Sequence, residues 1–179
     1  MFDFFIFLIL FLIVSLNILV FLGFIGFFSG AVAGAPFVPS GPKTVQRMIA
    51  FAHIKPGEKV YDLGCGDGRI VFAATKMGAH AVGVEISIFV YCLALIRKKF
   101  FHVQGEIRHE SLWDTDISDA DIIFVYLLPE MMKRFGAEKI PTLKKGARII
   151  SHGFALPGLE PQEILEREGG LGRILQYRI

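Results

Sequence analysis

The chain falls into two unlike parts by its pattern of apolar and polar positions. From Phe4 to Pro42 no residue carries a charge, and Phe4 to Phe28 is almost wholly Phe, Leu, Ile and Val. About 20 apolar residues cross the hydrocarbon core of a bilayer. A helix in a soluble core would show a polar face, and Ser15 and Asn17 are too few to make one. The pattern predicts one transmembrane helix with its core inside Phe4–Phe28, continuing to Ala33 on the longer reading. The rival is a cleavable signal peptide, since Ala31-Val32-Ala33 resembles a small-residue cleavage site. Such a peptide needs a basic start and a shorter run, whereas this chain opens Met-Phe-Asp. Gly26, Gly30 and Gly34 recur every four residues. That spacing either lets two membrane helices approach closely or only softens the exit toward Pro36.

Beyond Lys43 the apolar runs become short and alternate with helical periods. A helix is expected at Thr44–His53, a strand around Val60–Leu63, a helix at Arg69–Met77 and a strand at His80–Ile86. A long helix follows from Ser87, a candidate N-cap, to Phe100. Then come strands at Glu106–Glu110 and Asp121–Tyr126, a helix at Glu130–Lys139 and a strand at Ala147–His152. Glu163–Arg167 and Arg173–Ile179, divided by Gly169-Gly170, read as a closing hairpin. Strands alternating with helices imply a parallel α/β sheet covered on both faces. The segment Ile88–Ile96 is apolar nearly all round and too short to span a bilayer. Burial against the sheet is expected of it, the alternative being that part of it presses on the anchor or the membrane surface. Residues 1–34 are thus read as anchor, 35–42 (with Pro36, Pro39 and Pro42) as a stiff connector, and 43–179 as one domain.

Charge adds orientation. No Lys or Arg precedes the span, while Lys43, Arg47 and Lys55 follow it, which predicts a domain facing the cytoplasm. Asp3 is the only charge before Lys43, so net charge rises from +2 for the chain to +3 for the domain. That mild bias suits an anionic membrane surface and is too weak to argue for nucleic acid. Two cysteines, Cys65 and Cys92, make no disulfide framework, and no metal site is expected.

The densest chemistry lies in Lys59–Arg69, KVYDLGCGDGR. A short apolar strand carries Asp62 near its end and then glycines at alternate positions, Gly64, Gly66 and Gly68, which let the backbone turn and approach a ligand. The dinucleotide fingerprint would need a third glycine where Arg69 stands. No Gly-Lys-Ser/Thr follows, which excludes a Walker A loop. A carboxylate beside the loop would repel a pyrophosphate but suits the ammonium of a methionine moiety, which favours S-adenosylmethionine over NAD. Glu85, 21 residues after Gly64 at the end of the next strand, stands where an acid accepts the hydroxyls of an adenosine ribose.

These residues resemble the class I, seven-strand S-adenosylmethionine-dependent methyltransferases, from about Lys43 to the C-terminus. APFVPS (35–40), DLGCGDGRIV, SLW (111–113) and LPEMM (128–132) are further similar to the membrane-anchored protein-lysine methyltransferases. That group includes the ATP synthase c-subunit and adenine nucleotide translocase lysine methyltransferases. The resemblance implies a Rossmann-like seven-strand sheet, with Asp62, Gly64, Cys65, Gly66 and Gly68 at the methionine end of the cofactor. It places Glu85 on the ribose, and Ser111 and Leu112 near adenine. This chain departs from the family at the adenine contact, where Ser111 replaces the usual Asp and Glu110 precedes it. Either can accept the N6 hydrogen.

Methyl transfer from a sulfonium needs positioning more than acid–base groups. A lysine acceptor must still shed a proton, and Tyr126 and Glu130 are the candidates to orient the amine. Packing for Tyr126 and a helix first-turn charge for Glu130 are equal alternatives. By resemblance, Phe37 and Val38 wall the target-lysine channel. The expected partners are a protein substrate in the membrane and the bilayer itself. The alternatives are a lipid-soluble acceptor such as a quinone or phospholipid, and a non-enzymatic membrane adaptor. Nucleic-acid N6-adenine chemistry is disfavoured because the fourth strand ends Tyr-Leu-Leu-Pro.

Overall fold

Five parallel strands carry the domain: β1 (Lys59–Leu63), β2 (His80–Glu85), β3 (Glu106–His109), β4 (Ile122–Val125) and β5 (Arg148–His152). Antiparallel β6 (Glu163–Leu165) and β7 (Ile174–Arg178) complete a seven-stranded sheet in the order β3-β2-β1-β4-β5-β7-β6. The helices are α1 (Phe2–Val32), α2 (Pro42–Phe51), α3 (Arg69–Lys76), α4 (Ile88–Phe100) and α5 (Pro129–Glu138). This computed structural model describes the backbone of residues 2–32 and 37–179, and the side chains of 4–24 and 37–179. The Gly26, Gly30, Gly34 spacing and the residues Ala33 to Pro36 lie outside the residues whose surroundings are described.

Period-2 alternation along each strand builds two cores. Val60, Ile122, Phe124 and Ile150 face α2 and α3, meeting Met48, Val71 and Phe72. Their neighbours Tyr61, Leu63, Ile123 and Ile149 face the other way, onto Met132 and Phe135 of α5. Each such buried side chain contributes about 1.5–3 kcal/mol. Helices therefore cover both faces, and the strand order reverses between β1 and β4, where ligands settle in open α/β sheets.

Several boundaries moved for local reasons. Both α2 and α5 begin on a proline, Pro42 and Pro129, at the first helical position. That position tolerates the missing N–H and shifts each start ahead of the expected residue. Ser87 does occupy the N-cap of α4, but its side chain makes no capping hydrogen bond. In α4 the expected burial against the sheet holds for one face only, through Val90 and Ala94, and part of this helix meets α1, the alternative reading. Its outer face is apolar and open.

In α1, Phe4–Phe24 is a 21-residue stretch, apolar but for Ser15 and Asn17, with none of it buried, a length of ~32 Å at 1.5 Å per residue. That matches a hydrocarbon core of about 30 Å. The same helix lies in contact with α4.

Candidate active site

The loop after β1 is shaped by its glycines. Gly64 and Gly66 have φ of +79° and +59°, backbone that side chains other than glycine rarely adopt. A Cβ on Gly66 would lie 2.6 Å from the Phe37 ring, while one on Gly64 would meet nothing within 4 Å. The loop is thus capped by Phe37 on one side and open over Gly64. The N–H groups of Gly64 and Cys65 donate to the Val84 carbonyl at 3.0 and 2.9 Å, tying the loop to β2.

Glu85 ends β2 and accepts twice, from the Gly66 N–H at 3.1 Å and the Ser87 N–H at 2.8 Å. It therefore fixes the glycine loop and the start of α4 together. Burial raises its carboxyl despite these bonds. Asp62 is buried beside it, and its carboxyl is pushed up to about 8, by burial first and then by the charges of Glu85 and Asp67. The charged groups acting on it are all anionic. Two buried acids with this imbalance suit a ligand that brings a cation to one and hydroxyl donors to the other.

Asp67 has another task. It pairs with Arg69 at 2.6 Å and Arg97 at 2.7 Å, and Arg69 also donates to the Ser40 carbonyl. Burial would lift the Asp67 carboxyl, but the hydrogen bonds and charges of the two arginines outweigh it and hold it below its ordinary value. This clamp joins connector, glycine loop and α4. In the linear pattern Arg69 stood out only as the residue that breaks the dinucleotide fingerprint.

One cleft takes in Asp62, Gly64, Cys65, Gly66, Glu85, Ser111, Leu112 and Tyr126, with Phe37 and Val38 at its rim. Two expected residues stand apart from that lining. Gly68 caps the start of α3, and a Cβ there would meet Phe72 and Ile107 rather than the cleft. Glu130 is exposed in the first turn of α5, a position that favours an acid through the helix dipole. The Cys65 side chain packs into the core, where burial lifts its thiol well above its ordinary value. At the far end, Ser111 Oγ accepts the Trp113 N–H at 3.2 Å and Glu110 accepts the Thr115 hydroxyl at 2.7 Å. Both residues still line the cleft.

The mouth over β4 is aromatic. The Tyr126 ring centre lies 4.4 Å from that of His152 and 6.3 Å from that of Phe154. Trp113 and Phe154 join the lining. His152, missed in the sequence, sits at the C-terminal end of β5 with a buried Nδ1 that has no hydrogen-bond partner among the described residues. Burial, then the charge of Arg47, lowers its pKa below the ordinary value, which favours the neutral imidazole. The available signal was its position, since it ends a strand on the same edge as Asp62, Glu85 and Tyr126.

This geometry can be set beside known proteins. Residues 62–163, more than half of the chain, match the model of the ANTKMT methyltransferase domain. The chain belongs to the ANTKMT methyltransferase family. Among curated relatives, the protein-lysine N-methyltransferase of Saccharolobus islandicus (strain REY15A) is 36% identical over 139 residues, covering 75% of this chain and 86% of that protein. The lysine N-methyltransferase of the ATP synthase c-subunit from Homo sapiens is 29% identical over 131 residues, covering 72% of this chain and 56% of that one. The chain thus spans little more than half the length of the human relative. A solved RNA methyltransferase from Salinibacter ruber, in complex with S-adenosyl-L-homocysteine, superposes with a TM-score of 0.74 at 32% identity. It covers 79% of this chain and 94% of that one.

The ANTKMT-family chain is therefore an S-adenosylmethionine-dependent methyltransferase, and its cleft fits that cofactor. Asp62 has no cationic partner among the described residues, Glu85 retains acceptor capacity, and the space over Gly64 is open. When bound, S-adenosylmethionine supplies the electrophilic methyl group.

Proposed function

We propose that this chain is a membrane-anchored protein-lysine N-methyltransferase whose acceptor is a lysine in a membrane protein. The observation that carries the reading is the continuity of an acidic cleft with an aromatic mouth, Phe37, Trp113, Tyr126 and Phe154, in a single pocket. Aromatic walls accept the aliphatic stem of lysine and favour its cation until the proton leaves. In this reading Asp62 takes the cofactor's ammonium and Glu85 its ribose hydroxyls. Ser111 or Glu110 meets adenine, and Leu112 packs on its face. The backbone of Gly64, Cys65 and Gly66 comes close to the cofactor, while Gly68 turns the loop into α3. Tyr126 orients the amine at the mouth, backed by the His152 ring, while water carries the proton away. Glu130 stays outside this arrangement as a surface charge. Residues 1–34 form the anchor, 35–42 the connector, and 43–179 the catalytic domain facing the cytoplasm. The names of the curated relatives, which act on protein lysines, support the acceptor class.

A second acceptor class has one specific support, since the Salinibacter ruber relative is named as an RNA methyltransferase. The domain's small net charge argues against it. The full chain in native membranes, given methyl-labelled S-adenosylmethionine and added total RNA, separates the readings. Label in hydrolysed protein as methyl-lysine is expected. Label in RNA, or in the organic extract as a quinone or lipid, overturns the lysine assignment.

A further inference from the structure

The outer face of α4 has no task in the chemistry above. Ile88, Cys92, Ile96 and Phe100 recur at helical spacing on that side, and Phe101 follows at its end. Ile96, Phe100 and Phe101 are 63%, 75% and 60% exposed with α1 already in contact. Phe100 and Phe101 meet edge-on at 5.0 Å as a projecting pair. Beside them, Lys98, Lys99 and His102 surround a shallow depression floored by Leu95 and Val103. Arg97 is already paired with Asp67, but the two lysines are in no ion pair among the described residues. A soluble face with so many open aromatic and branched side chains is costly.

We propose that this face of α4 lies on the anionic headgroup layer of the bilayer that α1 enters. The proposal rests on the anchored reading of α1. Two observations choose lipid as the occupant. The first is reach: the apolar run of α1 extends to Phe28 and the helix to Val32. The four helical residues beyond Phe28 rise only ~6 Å, about the depth of a headgroup layer, and α4 touches α1. The second is chemistry, because apolar residues flanked by lysines match an interfacial helix on acidic lipid. The arrangement bears on substrate choice. Ile86, which lines the cofactor cleft, is itself exposed and leads directly into α4. With α4 on the surface, the cleft mouth opens at headgroup level, and acceptor lysines close to the membrane surface are selected over those far out in solution.

The test uses the full chain reconstituted in vesicles of phosphatidylcholine with about one-third phosphatidylglycerol. Cys92 is exposed on this face and takes a bimane label, whereas Cys65 is buried. In a Cys92→Ala background, Leu12→Cys reports on α1 and Glu138→Cys on the far side of the domain. Shallow doxyl-lipid should quench the Cys92 probe and deep doxyl-lipid the Leu12 probe, with aqueous iodide quenching only Glu138. The triple change Ile96→Ser, Phe100→Ser, Phe101→Ser, or replacing phosphatidylglycerol with phosphatidylcholine, should return Cys92 about halfway or more to iodide access. A lipid-quenched Leu12 probe with an iodide-accessible Cys92 probe overturns the docking and leaves the anchor standing. An unquenched Leu12 probe removes the anchor itself. Shielding of Cys92 from both quenchers also overturns lipid docking, in favour of a second copy if Cys92 cross-links between chains and of another protein if it does not.

Discussion

Replacing Asp62 by Asn should stabilise the empty protein and cripple the loaded one. A carboxyl lifted from 3.8 to about 8 costs the folded state ~6 kcal/mol above pH 8, at about 1.4 kcal/mol per pH unit. Relaxation and water entry leave several kcal/mol of this. The sign follows from the direction of the shift. An acid whose folded pKa exceeds its unfolded one favours folding at low pH, and that benefit is lost as pH rises from about 4 to 8. The Asn variant escapes the loss, so its advantage in Tm should grow across that window and level off beyond it. Binding moves oppositely. Losing one charge-assisted hydrogen bond costs about 1.5–3 kcal/mol, or roughly 10- to 150-fold in Kd. At 100 times the parental Kd, S-adenosylhomocysteine should stabilise the parent by ~2.7 kcal/mol and the variant by only ~0.3–1.4 kcal/mol. Parental affinity should itself rise about ninefold from pH 6 to 7 and about fivefold from pH 7 to 8, as Asp62 ionises for its cationic partner. Thermal scans at pH 5, 7 and 8, with and without ligand, read both effects. A variant less stable than the parent at pH 8, with unchanged ligand stabilisation, would refute the reasoning.

Three further outcomes are expected. Glu85→Gln leaves one of the Gly66 and Ser87 N–H groups facing an amide donor. It should weaken cofactor binding about 10- to 100-fold by isothermal titration. Gly66→Ala places a methyl 2.6 Å from the Phe37 ring at a φ of +59°, so chemical denaturation should show a loss of about 1–3 kcal/mol. Tyr126→Phe keeps the ring contacts with His152 and Phe154. It should lower kcat about tenfold or more with cofactor Kd unchanged, and an unchanged kcat would leave Tyr126 as packing alone.

What could be read in the sequence was what depends on neighbours in the chain. Val60 to Leu63 followed by spaced glycines announced a strand and its loop, and Glu85 at the next strand's end located the second acid. Gly169-Gly170 marked the hairpin. What escaped depends on residues distant in sequence. Asp67, Arg69, Arg97 and the Ser40 carbonyl converge from the glycine loop, α3, α4 and the connector, and no local pattern links the last two to the rest. The His152 imidazole acquires meaning only when β5 lies beside β4. The apolar composition of α4 left its outer face undecided because hydrophobicity alone does not say which neighbour, protein or lipid, will cover a face.

The most direct measurement is the electron density of the full chain crystallised with S-adenosylhomocysteine. The account predicts the ammonium within hydrogen-bonding distance of Asp62 and both ribose hydroxyls on Glu85, with the sulfur directed toward Tyr126. A ligand turned end for end, or seated outside the β1–β4 crevice, would contradict it.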